Sequence, residues 1–285
     1  MSKTKVFWLS FVLTLAVLVP MYLAVYAYGS ATNGAAAAEK AQSGVWVAQA
    51  TAADAKTVLV MSGSGTAQTA ESYTLVRFDA LKNKISVASM PPETIVLVSG
   101  SPVTLAQAVD SAGPSQAAAA LQETLNIPVD NYLFATPAML WQMAEAFGNV
   151  QLRLGNYVST EALAALGLAT PGSETQTLSP RLFAQVLAGD VPRDKLYLLR
   201  ARGYAAFLTA GQGLLKSTLP ATVRANSTKI ATNLTAADLY DYERALQFLD
   251  RQQPTFHADA MPGAWAGTRY ELAQEATAFA TEYFT

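Results

Sequence analysis

Cysteine is absent from the 285-residue chain, which removes disulfides, thiolate metal centres and cysteine nucleophiles. Histidine occurs once, as His257, in the alternating segment Thr255–Ala260 that reads as a strand. A single strand histidine points to a structural role before a catalytic one. Charge is scarce, at 14% of residues with a net of −2, so the chain as a whole has no field suited to nucleic acid or acidic polymers. No DNA-binding helix pair and no basic face is visible either, and no nucleic-acid partner is expected. Glycine signatures are also incomplete. Ser62-Gly-Ser-Gly-Thr66 follows a strand pattern, but it lacks the third glycine of a dinucleotide fingerprint and leads into another strand, so it reads as a turn. Ser64 lies in no nucleophile-elbow arrangement and the one histidine is far off in sequence, which leaves a serine hydrolase without support.

Apolar residues, in contrast, make up 51% of the chain, and the N-terminus concentrates them. No charge occurs between Val6 and Ala38, and Val6–Tyr28 is almost wholly apolar. About 20 such residues cross the hydrocarbon layer as a helix. Lys3 and Lys5 precede the run, which places the N-terminus in the cytoplasm and the remaining chain outside. Trp8 and Tyr26 or Tyr28 fall near the two interfaces. A cleaved signal peptide is the alternative, but it has a shorter apolar region ending in a small-x-small site, which Tyr26 and Tyr28 interrupt. The expected organisation is a cytoplasmic tail over 1–5, a single transmembrane anchor over 6–28, a linker over 29–44 and one extracytoplasmic domain over 45–285.

That domain begins with three short runs rich in Val, Ile and Thr: Thr57–Met61, Tyr73–Phe78 and Lys84–Met90. They read as adjacent strands, the last two joined by a hairpin turn at Asp79–Asn83. In the third, Ile85, Val87 and Ser89 share one face while Ser86 and Ala88 share the other. Helix signals follow: Thr136-Pro137, a capping box at Thr235–Asp238, a second one at Thr268–Glu271, and a long helical pattern over Arg193–Lys216. Strands alternate with helices to the C-terminus, which predicts an α/β fold with a mixed central sheet and helices on both faces.

Glu71 stands just before the second strand and Glu93 just after the third. If those strands are neighbours, both carboxylates can converge on one hard cation such as Mg²⁺ beside a phosphate. Two solvated surface glutamates are the other reading of the same residues.

The order of segments resembles the LytR–CpsA–Psr family of extracytoplasmic envelope proteins over about residues 55–285. The residues that carry the resemblance are Thr69-Ala-Glu-Ser72 entering a strand, Ser89-Met-Pro-Pro-Glu-Thr94 leaving one, Ile127-Pro-Val-Asp-Asn-Tyr132, Gly148-Asn-Val150, Lys229–Thr235, and Met261-Pro-Gly263 followed by Gly267–Tyr270. The single N-terminal anchor also matches. The resemblance implies transfer of a glycopolymer from a polyprenyl pyrophosphate carrier to the cell wall. It also implies Mg²⁺ held by Glu71 and Glu93, arginines on the pyrophosphate, and an apolar groove for the lipid. By the same resemblance Arg202 is the arginine retained for catalysis, and Ser89, together with Arg77 and Arg200 converging from elsewhere in the chain, is a candidate for substrate binding. The chain departs from the family where Thr69 and Pro92 replace arginines, where an Arg-x-Arg pair is missing around Ala188-Gly-Asp190, and where both aspartates have become glutamates. Weak or absent transferase activity is therefore expected, with a non-catalytic scaffold that holds lipid-linked intermediates or partners an active enzyme as the alternative.

Overall fold

The hydroxyl pairs Ser62–Ser72 and Thr74–Ser89 bridge neighbouring strands at 2.6 and 2.8 Å near one end of the sheet on which everything else is built. The structure is a computed structural model that describes residues 49–64, 69–168 and 175–285. The tail, the anchor, the linker, residues 45–48 and residues 65–66 lie outside the described residues, and residues 62–64, expected as the start of a turn, instead continue a strand paired with residues 69–72. Among the described residues no helix is long and apolar enough to cross a membrane.

In chain order the strands and helices are β1 (Ala55–Ser64), β2 (Thr69–Asp79), β3 (Lys84–Met90), β4 (Ile95–Val98), β5 (Ser101–Thr104), α1 (Leu105–Ala112), α2 (Pro114–Leu125), β6 (Asn131–Ala135), α3 (Pro137–Ala144), β7 (Val150–Arg153) and α4 (Thr160–Ala165). There follow β8 (Thr175–Leu178), α5 (Pro180–Ala188), α6 (Arg193–Ala210), α7 (Leu215–Ala225), β9 (Ala231–Thr232), α8 (Ala236–Gln252), β10 (Thr255–Ala260), β11 (Gly263–Ala266), β12 (Arg269–Leu272) and α9 (Glu275–Phe284). The main sheet runs β10-β3-β2-β1-β6-β9. It is mixed: β1, β2 and β3 form an antiparallel meander, β6 joins β1 in parallel and β10 joins β3 in parallel.

Strand alternation sends one set of side chains to each face. Leu59, Met61, Tyr73, Leu75, Ala88 and Met90 pack under α1, α2 and α9. Val58, Val76, Phe78, Ile85, Val87 and Leu133 pack against α6, α7 and α8. The result is the expected mixed sheet between helical layers. A third apolar cluster, around Leu154, Phe183 and Phe207, joins α5 and α6 to the β7–β8 hairpin.

Local signals act as expected in several places. Thr136 Oγ1 accepts from the Met139 amide ahead of Pro137, and Thr235 and Asp238 close a full capping box. Two expectations are corrected. The helical pattern over Arg193–Lys216 is two helices, because the chain turns at Gly211–Leu214, with Gly213 at φ +88. The capping box expected at Thr268–Glu271 does not form. Arg269–Leu272 is a strand paired with Gly263–Ala266, and the last helix opens only at Glu275. The buried Tyr270 between exposed Arg269 and Glu271 has the period of a strand.

Candidate functional site

One end of the β2–β3 pair collects charged residues from three parts of the chain: the start of β2, the turn after β3 and helix α6. Glu71 reaches it through an irregularity. The register pairs Ser62 with Ser72 and then Gly63 with Ala70, so Glu71 is the extra residue of a bulge. Bulges re-aim a side chain out of the strict alternation. Glu71 is accordingly exposed, although it sits between buried Ala70 and Ser72.

Glu93 lies in the turn after β3. Thr94 binds back to the Pro91 carbonyl through both its amide (3.1 Å) and its hydroxyl (2.7 Å). The Glu93 carbonyl accepts from the Tyr270 amide at 3.0 Å, and Thr94 bridges to Tyr270. These bonds fasten the β11–β12 hairpin beside the Glu93 side chain.

Helix α6 supplies the cations. Arg193, Tyr197, Arg200 and Tyr204 recur at helical spacing and so share one face. Arg193 Nη2 donates to Glu93 Oε1 at 2.9 Å, and its guanidinium carbon lies 3.2 Å from the centre of the Trp265 ring. Such stacking adds to the ion pair. Glu93 Oε2 is buried and has no partner. Arg200 Nη1 is likewise buried without a hydrogen-bond partner. Burial pulls the Arg200 guanidinium below its usual pKa, against the opposing fields of Tyr204, Tyr197 and Glu71. Tyr197 is pushed up to about 12, first by burial and then by the nearby Glu93 charge. Tyr204 also rises to about 12 through burial, with Arg200 opposing.

Tyr204 faces a second feature. A cavity of 160 Å³ lies between the sheet and helices α3, α6, α7 and α8, lined by Val58, Val76, Leu133, Leu140, Phe207 and Leu246 among others. An apolar void of this volume stays dry and accepts apolar groups. Tyr204 therefore belongs both to the cavity wall and to the surroundings of Arg200.

The residues singled out in the sequence divide clearly. Glu71, Glu93 and Arg200 fall at the same end of the sheet. Arg202, two positions beyond Arg200, points to the opposite side of α6 and donates to the Tyr157 hydroxyl. Arg77 is buried six residues along β2 from Glu71, about 20 Å away by strand rise. There it bonds Asp79 Oδ2 (3.4 Å) and Thr57 Oγ1 (3.0 Å). Ser89 is fully buried and hydrogen-bonded to Thr74. Arg193 was not singled out. The signal for it is present: an Arg-Tyr-Arg-Tyr stripe along one helix, opened by a cation in a first turn where the helix dipole disfavours it.

No protein-family model matches the sequence, and no curated protein matches it. Solved structures do match. A candidate transcription regulator from Eubacterium siraeum aligns with a TM-score of 0.70 at 17% identity, over 85% of this chain and 94% of that one. TagT bound to LIIa-WTA aligns at 0.61 and 16% identity, over 84% and 92%. TagV of B. subtilis aligns at 0.59 and 12% identity, over 81% and 97%. At these identities the likeness establishes a shared fold.

Proposed function

We propose that this chain is a LytR–CpsA–Psr-like envelope protein, anchored by its N-terminal helix, that takes a glycopolymer on a polyprenyl diphosphate carrier outside the cytoplasmic membrane. Support comes from the shared fold of TagT, solved bound to LIIa-WTA, and of TagU and TagV from B. subtilis. The observation that carries the reading is Arg200. A guanidinium with a shielded, unpartnered Nη1 next to a dry apolar cavity suits an anionic head joined to a hydrocarbon tail.

In this reading Arg200 and Arg193 hold the diphosphate oxygens, and the prenyl chain enters the cavity past Tyr204. The orphaned Glu93 Oε2 and the exposed Glu71 carboxylate fit a divalent cation and would hold it. When bound, Mg²⁺ neutralises charge on the diphosphate. Transfer then forms a bond from an acceptor hydroxyl oxygen to the sugar-side phosphorus and breaks its bond to the bridging oxygen. The hydroxyl proton passes to solvent, and the polyprenyl monophosphate leaves with the electron pair of the broken bond. Catalysis of this kind depends on placement and charge neutralisation. Few guanidinium groups face the site, so slow turnover is proposed. The scaffold reading draws on the Glu93–Arg193 pair, which engages one acid and one cation with each other.

Arg200→Gln removes one charge-assisted contact, worth about 1.5–3 kcal/mol, and is expected to weaken binding of a polyprenyl diphosphate about 10- to 150-fold. Calorimetric titration of the full-length protein in detergent measures it. Unchanged affinity, or no binding to wild type, overturns the reading. Transfer from a lipid-linked glycopolymer by wild type and Glu93→Ala then separates the two versions. Equal background rates leave the scaffold.

A further inference from the structure

Four charged groups meet at the site as two opposed couples. Glu93 is bonded to Arg193 at 2.9 Å, and Arg200 lies in the field of Glu71. Their formal charges cancel. Among the described residues no group of three or more acidic, histidine or cysteine side chains is arranged to hold a metal. A cation arriving alone therefore meets carboxylates whose charge is already offset. Mg²⁺ gives up its water reluctantly and needs charged oxygen ligands to do so.

Resting on the function proposed above, we infer that Arg193 is a positioning residue that withholds the cation site until a diphosphate arrives, so that the metal enters with the substrate. With Oε1 of Glu93 bonded to Arg193, Oε2 is the carboxylate oxygen left without a partner. The diphosphate supplies the missing negative charge and the additional oxygen ligands. It also gives Arg193 a second anion to bond.

The placement of Arg193 supports a role in the site over one in the helix. It opens α6, where a positive side chain opposes the macrodipole. Pro192 at the preceding cap position makes no side-chain bond. The compensation for Arg193 comes from two other segments, the turn after β3 through Glu93 and the β11 strand through Trp265. Half of its side chain (48%) is exposed, so replacing it leaves the core intact.

The test uses full-length protein in detergent with Mn²⁺ as probe. Bound Mn²⁺ is counted by equilibrium dialysis against protein-free micelles, with and without geranylgeranyl diphosphate. Wild type is expected to retain Mn²⁺ only with the diphosphate. Arg193→Gln is expected to bind Mn²⁺ alone at least about tenfold more tightly than wild type, since a neighbouring positive charge is gone. Arg193→Lys keeps the charge and is expected to behave as wild type. Adding Glu93→Gln to Arg193→Gln abolishes the gain. The inference is overturned if wild type holds Mn²⁺ equally well without diphosphate, or if Arg193→Gln shows no gain. Because that comparison needs no diphosphate, it decides the inference even where diphosphate binding itself fails, an outcome that counts against the proposed function instead.

Discussion

His257 shows how much of a residue's role depends on what is laid against it. It lies on β10, stacked on Tyr283 at 3.6 Å with an interplanar angle of 9°, and Lys84 caps the same tyrosine at 4.6 Å. Its Nε2 is buried without a partner. Burial lowers its pKa below the ordinary 6.5. Lys84 acts in the same direction, while Asp259 and Glu282 act against it. The folded state thus prefers the neutral ring. The contribution to stability is complete above the unfolded value of 6.5 and is lost as pH falls from there through the folded value. Denaturant midpoints measured from pH 7.5 to 5.5 are expected to decline in wild type, and the decline is expected to flatten in His257→Phe, which keeps the stack. A pH-independent wild-type midpoint over that range contradicts this account. The place of the histidine in a strand was legible from the alternating pattern of Thr255–Ala260. Its partner Tyr283 was not, because β10 and α9 are brought together only by the packing of the sheet edge.

Helix α6 carries two faces with different tasks. One presents Arg193, Tyr197, Arg200 and Tyr204 to the site. Another packs on α5, and Gly203 belongs to it. A Cβ at Gly203 would sit 2.0 Å from the Phe183 ring. That ring is fully buried and wedged between Trp141 and Phe207, at centroid distances of 5.3 and 5.9 Å, so it has no room to yield. Gly203→Ala raises helix propensity yet overpacks the core. Thermal unfolding is expected to show a net loss of about 1–3 kcal/mol. A stabilised variant would mean that α5 shifts freely. The same helix shows where periodicity misleads. Its apolar pattern runs on into α7 across Gly211–Leu214. The break is made by Asp250 on α8, which accepts from the amides of Gly213, Leu215 and Lys216 at 3.0, 3.2 and 2.9 Å and so caps a new helix. A capping carboxylate some 35 residues downstream gives no local signal.

At the scale of the whole molecule, the apolar cavity and the charged site share one helix and one tyrosine. Ala144 lies on the cavity wall, only partly buried. Ala144→Phe is expected to fill the void, abolish binding of a long-chain polyprenyl diphosphate, and leave the melting temperature equal or higher. The diphosphate head alone is expected to bind the variant as it binds wild type. Parallel titrations with inorganic diphosphate and with the prenylated form measure this, and unimpaired binding of the long chain removes the cavity from the lipid's path.

Local chemistry in the chain was enough to set the alternation of strands and helices, the caps at Thr136 and Thr235, the two-faced sheet strands, and the acids Glu71 and Glu93 at strand ends. These follow from side-chain period and turn preference, which act over a few residues. Which arginines meet those acids was decided only by tertiary structure. Arg202 and Arg200 are two residues apart, yet the helical turn sends one to Tyr157 and the other toward Glu71. Arg193 reaches Glu93 across 100 residues of sequence, because α6 crosses the sheet end where the C-terminal hairpin is fastened. Charge pairing at that distance depends on where whole elements pack, and no local rule contains it.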